Sequence, residues 1–317
     1  RYITIQEGIQ DYLGDDVRVL TTIGCELFGD RTEHLALTMD RLSEAKTVAK
    51  NSDVVILCVG LDETLEGEEG DTGNSYSSGD KETLQLPPVQ RSLMKAVAEC
   101  GKPVVLLLMA GSDIDLSYAA EQFDAVMTLW YPGSQGGKAA ARVLFGDVSP
   151  SGKLPVTFYN TLEELPDFED YSMKGRTYRY MEHPAQYPFG YGLTYGNVEI
   201  LQAFAEESGK DVCIKCKLRN DASVATDEVV QVYVKNMSAK EAVPNPELCA
   251  FSRVHLQAGE EKEISLTVTG RAFTVVKEDG RRVSQGGNFR FYVGCSQPDQ
   301  RSVELTGKLP VCIDYYR

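Results

Sequence analysis

Apolar positions recur along the chain with two different periods. Near the start, Ile5, Ile9 and Leu13 stand at helical spacing behind Thr4-Ile5-Gln6-Glu7, a capping-box pattern. A helix is therefore predicted from about Ile5 to Leu13, stopping at Gly14. Val17 to Leu20 reads as a short strand and Leu42 to Lys50 as a second helix. Val54 to Val59 is apolar without alternation, the mark of a strand buried on both faces in a parallel sheet. A helix (Val89 to Glu99), a fully apolar strand (Val104 to Met109), a short helix (Ser117 to Gln122), a strand (Ala125 to Leu129) and a helix (Gly136 to Leu144) follow. Such alternation predicts an α/β domain over residues 1–160: an open, mostly parallel sheet with helices on both faces, an α/β sandwich.

The texture then changes twice. Residues 161–196 are rich in Pro, Tyr and Phe, too aromatic for a flexible linker, and are expected to pack as an interdomain segment. From Asn197 the period becomes two. Strands are predicted at Val198 to Phe204, Val212 to Leu218, Glu228 to Val234, Leu248 to His255, Glu263 to Val268 and Asn288 to Val293. Turn residues such as Asn220-Asp221 and Asp279-Gly280 separate them, so residues 197–317 read as an all-β, fibronectin type III-like sandwich.

The net charge of −15 argues against nucleic acid as a partner, because phosphate binding needs clustered Lys and Arg. The longest apolar run, Pro103 to Ala110, has the length of a strand and not of a membrane span. Eight cysteines are too sparse for a disulfide scaffold; Cys58 and Cys100 are expected to be buried free thiols. Cys213 and Cys216 stand three apart on a strand and so face opposite ways. Reduced thiols give a cytoplasmic expectation; the absence of a secretion leader at Arg1 says little, because the chain starts without a methionine. His34, His183 and His255 have no ligand-like spacing, so neither a metal nor a cofactor is expected.

In an open parallel sheet, ligands bind beyond the carboxyl ends of the strands. After Val59 comes Gly60-Leu61-Asp62-Glu63-Thr64-Leu65-Glu66-Gly67-Glu68-Glu69-Gly70-Asp71, with six carboxylates between residues 62 and 71. Mutual repulsion should raise their pKa values and help keep one acid protonated near neutrality, as a general acid requires. A solvated acidic loop is the plainer reading. A calcium loop fits worse, since Gly73 stands where a bidentate Glu is needed. No strand is followed by a dinucleotide or Walker glycine motif.

These residues, with Leu84-Gln85-Leu86-Pro87 and Gln90, resemble the second-domain signature of glycoside hydrolase family 3. The likeness continues in register through Trp130-Tyr131-Pro132-Gly133, Leu144-Phe145-Gly146-Asp147, Pro150 to Phe158, Arg176 to Tyr180, Tyr187 to Tyr195 and Glu228 to Val234. The resemblance implies a retaining, exo-acting β-glycosidase that hydrolyses terminal β-D-glucosyl or β-D-xylosyl residues. Its usual layout sets a barrel domain, which carries an Asp nucleophile, before an α/β domain whose loop carries a Glu acid/base. Glu66 matches that Glu, with Glu68 and Glu69 as alternatives. No barrel precedes Arg1, so the nucleophile and the substrate-binding residues are expected outside these residues, and the chain alone is expected to be inactive.

Two departures stand out. Thr72 follows Asp71 where the family has Arg, and Thr72 to Glu82 lengthen the loop before Pro88, which replaces a Gly. The turn at Trp130 to Gly133 and the aromatic run from Tyr187 to Tyr195 are expected to be structural, the run joining the domains. The implied partners are a β-glycoside or oligosaccharide substrate and the barrel domain, with no membrane; homo-oligomerisation is left open. The rival reading is a non-catalytic carbohydrate-binding or interaction module.

Overall fold

The computed structural model describes residues 1–29, 40–66 and 81–317. Glu68, Glu69, Asp71, His34 and most of the lengthened loop lie outside the described residues. Packing divides the chain into two compact units: Arg1–Asp147 with Tyr159–Leu162, and Val148–Phe158 with Glu163–Arg317.

In the first unit, helix α1 (Ile5–Leu13) starts at the expected capping box. Glu7 N–H donates to Thr4 Oγ1 at 3.1 Å, and Thr4 N–H donates to the Glu7 carboxylate at 3.0 Å. Helix α2 (Asp40–Lys50), strand β1 (Val55–Gly60), helix α3 (Pro88–Ala98), strand β2 (Val104–Met109), helix α4 (Ser117–Gln122), strand β3 (Ala125–Thr128) and helix α5 (Gly136–Leu144) follow. The strands form a parallel sheet in the order β1-β2-β3, with Val55 opposite Val104 and Val105 opposite Ala125. Helices pair as α1 with α5 and α2 with α3, and α4 packs against β3. Central strand β2 is the driest part, with Leu106, Leu107 and Leu108 fully buried. Ahead of α1 the backbone is tied to α5: Ile3 N–H donates to Ser134 O at 2.9 Å, and Gly137 N–H donates to Ile3 O at 3.1 Å.

Two expectations fail here. Val17 to Leu20 forms no strand: Val17 is exposed, Arg18 interrupts the apolar run, and no ladder partner lies beside it among the described residues. Strand β1 is not buried on both faces, because it lies at the edge of the described sheet; Cys58 on it is an exposed thiol, not a buried one. All eight cysteines are free.

The second unit contains helix α6 (Thr177–Tyr180) and a sandwich. Its strands are β4 (Val198–Ser208), β5 (Asp211–Asn220), β6 (Thr226–Asn236), β7 (Glu247–Leu256), β8 (Glu261–Val268), β9 (Thr274–Val276), β10 (Arg282–Ser284), β11 (Asn288–Gly294) and β12 (Val311–Tyr316), with helix α7 (Gln300–Thr306) before the last. A four-stranded sheet, β12-β11-β6-β7, faces a three-stranded one, β4-β5-β8, while β9 and β10 make a separate hairpin. Alternate residues of both sheets, among them Ile214, Leu218, Val230, Val232, Phe289 and Phe291, meet in one core. Short β9 and β10 have too few residues to show a period. Strand β12 was hidden because Cys312 and Tyr316 put apolar residues on its exposed face as well.

Within this unit the aromatic segment packs on β6. Tyr178 and Phe189 stack at 4.3 Å, and both meet Tyr233 edge-on. Lys153 and Glu228 form a buried ion pair at 2.7 Å, their side chains 9% and 4% exposed. Lys153 also donates to Gly192 O at 2.6 Å, and Glu228 accepts the Val229 N–H at 2.7 Å.

Candidate active site

The acidic loop begins where β1 ends. At Gly60, a Cβ would lie 1.8 Å from the Met109 carbonyl oxygen, so only glycine fits against β2. Buried Gln90, on α3, satisfies the Gly60 backbone with its own amide: it accepts from Gly60 N–H at 2.8 Å and donates to Gly60 O at 2.7 Å. Leu61 N–H then donates to Met109 O at 2.8 Å. Asp62 starts a tight turn, its Oδ1 accepting from Thr64 N–H and Thr64 Oγ1 at 2.9 and 2.6 Å. Its carbonyl accepts from Leu65 and Glu66 N–H at 3.0 and 2.9 Å. Leu61 and Leu65 are buried on either side of this turn, which leaves Glu66 projecting at its end.

Three strand ends meet at the Glu66 carboxylate. From beyond β2, Gly111 N–H donates to Oε2 at 2.6 Å, and the Ser112 hydroxyl donates to Oε1. From beyond β3, the Tyr131 hydroxyl donates to Oε2. A side chain at Gly111 would come within 2.8 Å of the Tyr131 ring and 3.2 Å of Glu66, so glycine lets these groups converge. Trp130 takes φ of +53°, which turns the chain sharply after β3 and presents Tyr131. Behind them, Lys81 donates to Ser112 Oγ at 2.6 Å and to the Asp113 carbonyl. Asp113 accepts the Tyr159 N–H on Oδ2 at 2.9 Å, while its buried Oδ1 has no partner.

The charge of Glu66 is set by opposing effects. Burial pushes the Glu66 pKa up, but the bonds from Ser112, Tyr131 and Gly111, with Lys81 nearby, outweigh it and hold the carboxyl below its ordinary range. For Glu66 itself, donors from other strands outweigh burial; Glu68, Glu69 and Asp71 lie outside the described residues. Asp113 is the raised carboxyl: burial lifts it to about 6, against the Tyr159 bond and Lys81. Burial lowers the Lys81 ammonium, and burial with the Glu66 bond raises the Tyr131 phenol.

Tyr131 stands in a strand-end turn, as expected, and its hydroxyl also reaches Glu66. Ser112, Lys81 and Asp113 join the site without having been singled out in the sequence; adjacency of the three parallel strand ends was the signal that could have found them. Among the described residues, no group of three or more His, Cys, Asp or Glu is arranged to hold a metal.

An α/β unit with a carboxylate-bearing loop at its strand ends, in a chain that also carries a sandwich, matches the glycosyl hydrolase family 3 C-terminal domain over residues 1–195. A fibronectin type III-like domain matches over residues 228–297. The chain belongs to glycoside hydrolase family 3. A xylan 1,4-β-xylosidase of Xylanibacter ruminicola is 37% identical over 81% of this chain and 30% of its own length. A β-xylosidase of Formosa agariphila is 31% identical over 97% of this chain and 42% of its own. The crystal structure of a β-glucosidase from Listeria innocua in complex with isofagomine superposes with a TM-score of 0.77 at 29% identity, covering 99% of this chain and 42% of that one. The chain thus spans between 30% and 42% of the length of these relatives.

Proposed function

We propose that these residues form the C-terminal part of a retaining, exo-acting β-glycosidase that releases terminal β-D-xylosyl or β-D-glucosyl residues. In this reading the loop after β1 supplies the general acid/base, drawn from Glu66, Glu68 and Glu69, and a preceding barrel domain supplies the nucleophile. The observation that carries it is the loop itself: a run of carboxylates starts from a rigid turn at the carboxyl end of a parallel strand, where this fold class places its ligands.

The chemistry needs two carboxyls about 5 to 5.5 Å apart across the sugar. As the nucleophile bonds to the anomeric carbon, the acid gives its proton to the departing glycosidic oxygen. The same group, now a carboxylate, then takes a proton from the water that breaks the glycosyl–enzyme ester, so the configuration is retained. Family relatives named β-xylosidase and β-glucosidase support both sugars.

The test is to incubate the complete protein with 4-nitrophenyl β-D-xyloside and β-D-glucoside and follow the first-formed anomer by proton NMR. Release of the β-anomer is expected, and residues 1–317 alone should be inactive. First release of the α-anomer, or turnover by residues 1–317 alone, would overturn the proposal.

A further inference from the structure

We propose that the sandwich unit carries a ligand site of its own: a cleft between β4 and α7 that binds a small hydroxylated carboxylate, of the kind an acidic sugar presents. Its whole wall belongs to that unit, so the site is independent of the glycosidase reading.

The cleft has a volume of about 320 Å³, within the range of small-molecule sites. It opens between the start of β4, the segment after β11 and helix α7, and Val198, Ile200 and Val303 give it an apolar side. Asp299 fixes the first turn of α7, its Oδ1 accepting the Ser302 N–H at 2.7 Å. Gly307 ends the helix in the left-handed region, at φ of +70°. The chain then turns back, and the Lys308 ammonium donates to the Val198 carbonyl at 2.9 Å.

Two buried polar side chains in this wall lack partners among the described residues. Gln297 is 8% exposed and its Oε1 accepts no hydrogen bond; Ser302 is 2% exposed and its hydroxyl has no partner either. An unmet buried polar atom is costly, and hydroxyl groups on a ligand would serve both oxygens.

Charge selects the rest of the ligand. Lys153, Lys308 and Glu228 all line the cleft and all act electrostatically on the Cys295 thiol, so two ammoniums face one carboxylate there. Glu228 pairs with Lys153 at 2.7 Å, and among the described residues no carboxylate pairs with Lys308. The exposed Glu199 carboxylate, also in the wall, lies 4.0 Å from Arg219 instead. Cys295 does not supply the missing anion, because burial pushes its thiol up to about 12. One positive charge is left over, in a chain whose net charge is −15. Water would serve the two oxygens but would not offset that charge. A ligand carboxylate would do so through a charge-assisted hydrogen bond, and a monoanion matches a surplus of one.

The experiment is isothermal titration calorimetry of the complete protein with D-glucuronate, against D-glucose, acetate and inorganic phosphate. Lys308→Met should weaken D-glucuronate binding roughly 10- to 100-fold and Ser302→Ala roughly 3- to 10-fold, with hydrolysis of 4-nitrophenyl β-glycosides unchanged in both. Ser302→Ala deletes a single oxygen, so it keeps the test intact if Lys308→Met does not fold. The ligands are compared on the binding that these variants weaken, so that sugar held at the active site does not enter. There D-glucuronate should bind at least about 10-fold more tightly than glucose, which lacks the carboxylate, or acetate, which lacks the hydroxyls. No binding of D-glucuronate, or binding unchanged in Ser302→Ala or in folded Lys308→Met, would overturn the proposal. So would acetate or phosphate binding as tightly as D-glucuronate, which would leave only a plain anion site.

Discussion

Replacing Lys153 by Met should unsettle the sandwich unit far more than the loss of one lysine suggests. The methionine keeps most of the apolar stem, so the change isolates the charge. Glu228 is then left 4% exposed, its ion-pair partner at 2.7 Å gone and the Val229 N–H its one remaining donor. An uncompensated buried charge of this kind costs about 3–5 kcal/mol. With a urea slope of about 1–3 kcal/mol per molar, the unfolding midpoint should fall by about 2 M. Far-UV circular dichroism, dominated by strands in this unit, is the natural probe. The companion variant Lys153→Met with Glu228→Leu removes both charges and should recover most of the loss, since a buried ion pair exchanged for apolar groups of similar volume is often neutral. A single variant within about 1 kcal/mol of wild type, or a double variant as unstable as the single one, would refute the reasoning.

Other outcomes follow from the first unit. Gly60→Ala forces a methyl to within 1.8 Å of the Met109 carbonyl oxygen, so it should cost about 3 kcal/mol or more in thermal unfolding; an unchanged melting curve would contradict the close approach. Leu107→Ala, at a fully buried site on β2, should lose about 2–5 kcal/mol by urea titration. Asp113 has its folded pKa raised from the ordinary 3.8 to about 6, so the folded state holds this proton more tightly than the unfolded chain does. Its contribution is therefore present below about pH 4 and lost as the pH rises through about 6, a change on the order of 2–3 kcal/mol. Asp113→Asn should flatten that interval in a series of unfolding measurements from pH 4 to 7, and parallel curves for the two proteins would be evidence against it. Glu66 acts with the opposite sign, its lowered pKa giving stability at neutral pH that is lost as the pH falls, so the comparison must be made against wild type at each pH.

What could be read along the chain was whatever a short window contains. Helix α1 announces itself by its capping box and β2 by its unbroken apolar run, and their ends, like those of α5, fall where expected. Val17 to Leu20 shows the converse: four residues of strand-like character form no ladder without a neighbour to pair with. The site was legible only as a loop. The loop stood out because its carboxylates cluster in sequence, and Glu66 only by the family resemblance; the groups that hold it come from Gly111, Ser112 and Tyr131. Their arrival depends on strand order, which no local pattern encodes. The same holds for Cys58, whose apolar run looks buried until β1 is found at the edge of the described sheet.

The backbone ties at Ile3 have a mechanical meaning. Ile3 is joined to Ser134 and Gly137, and Ser134 is three residues from Tyr131, whose hydroxyl holds Glu66. The segment ahead of α1 and the turn carrying Tyr131 are thus linked through backbone hydrogen bonds. A displacement of Ile3 would be felt at the Tyr131 turn, and through its hydroxyl at Glu66. A shift at that handle would move a hydrogen-bond partner of Glu66 without altering Glu66 itself.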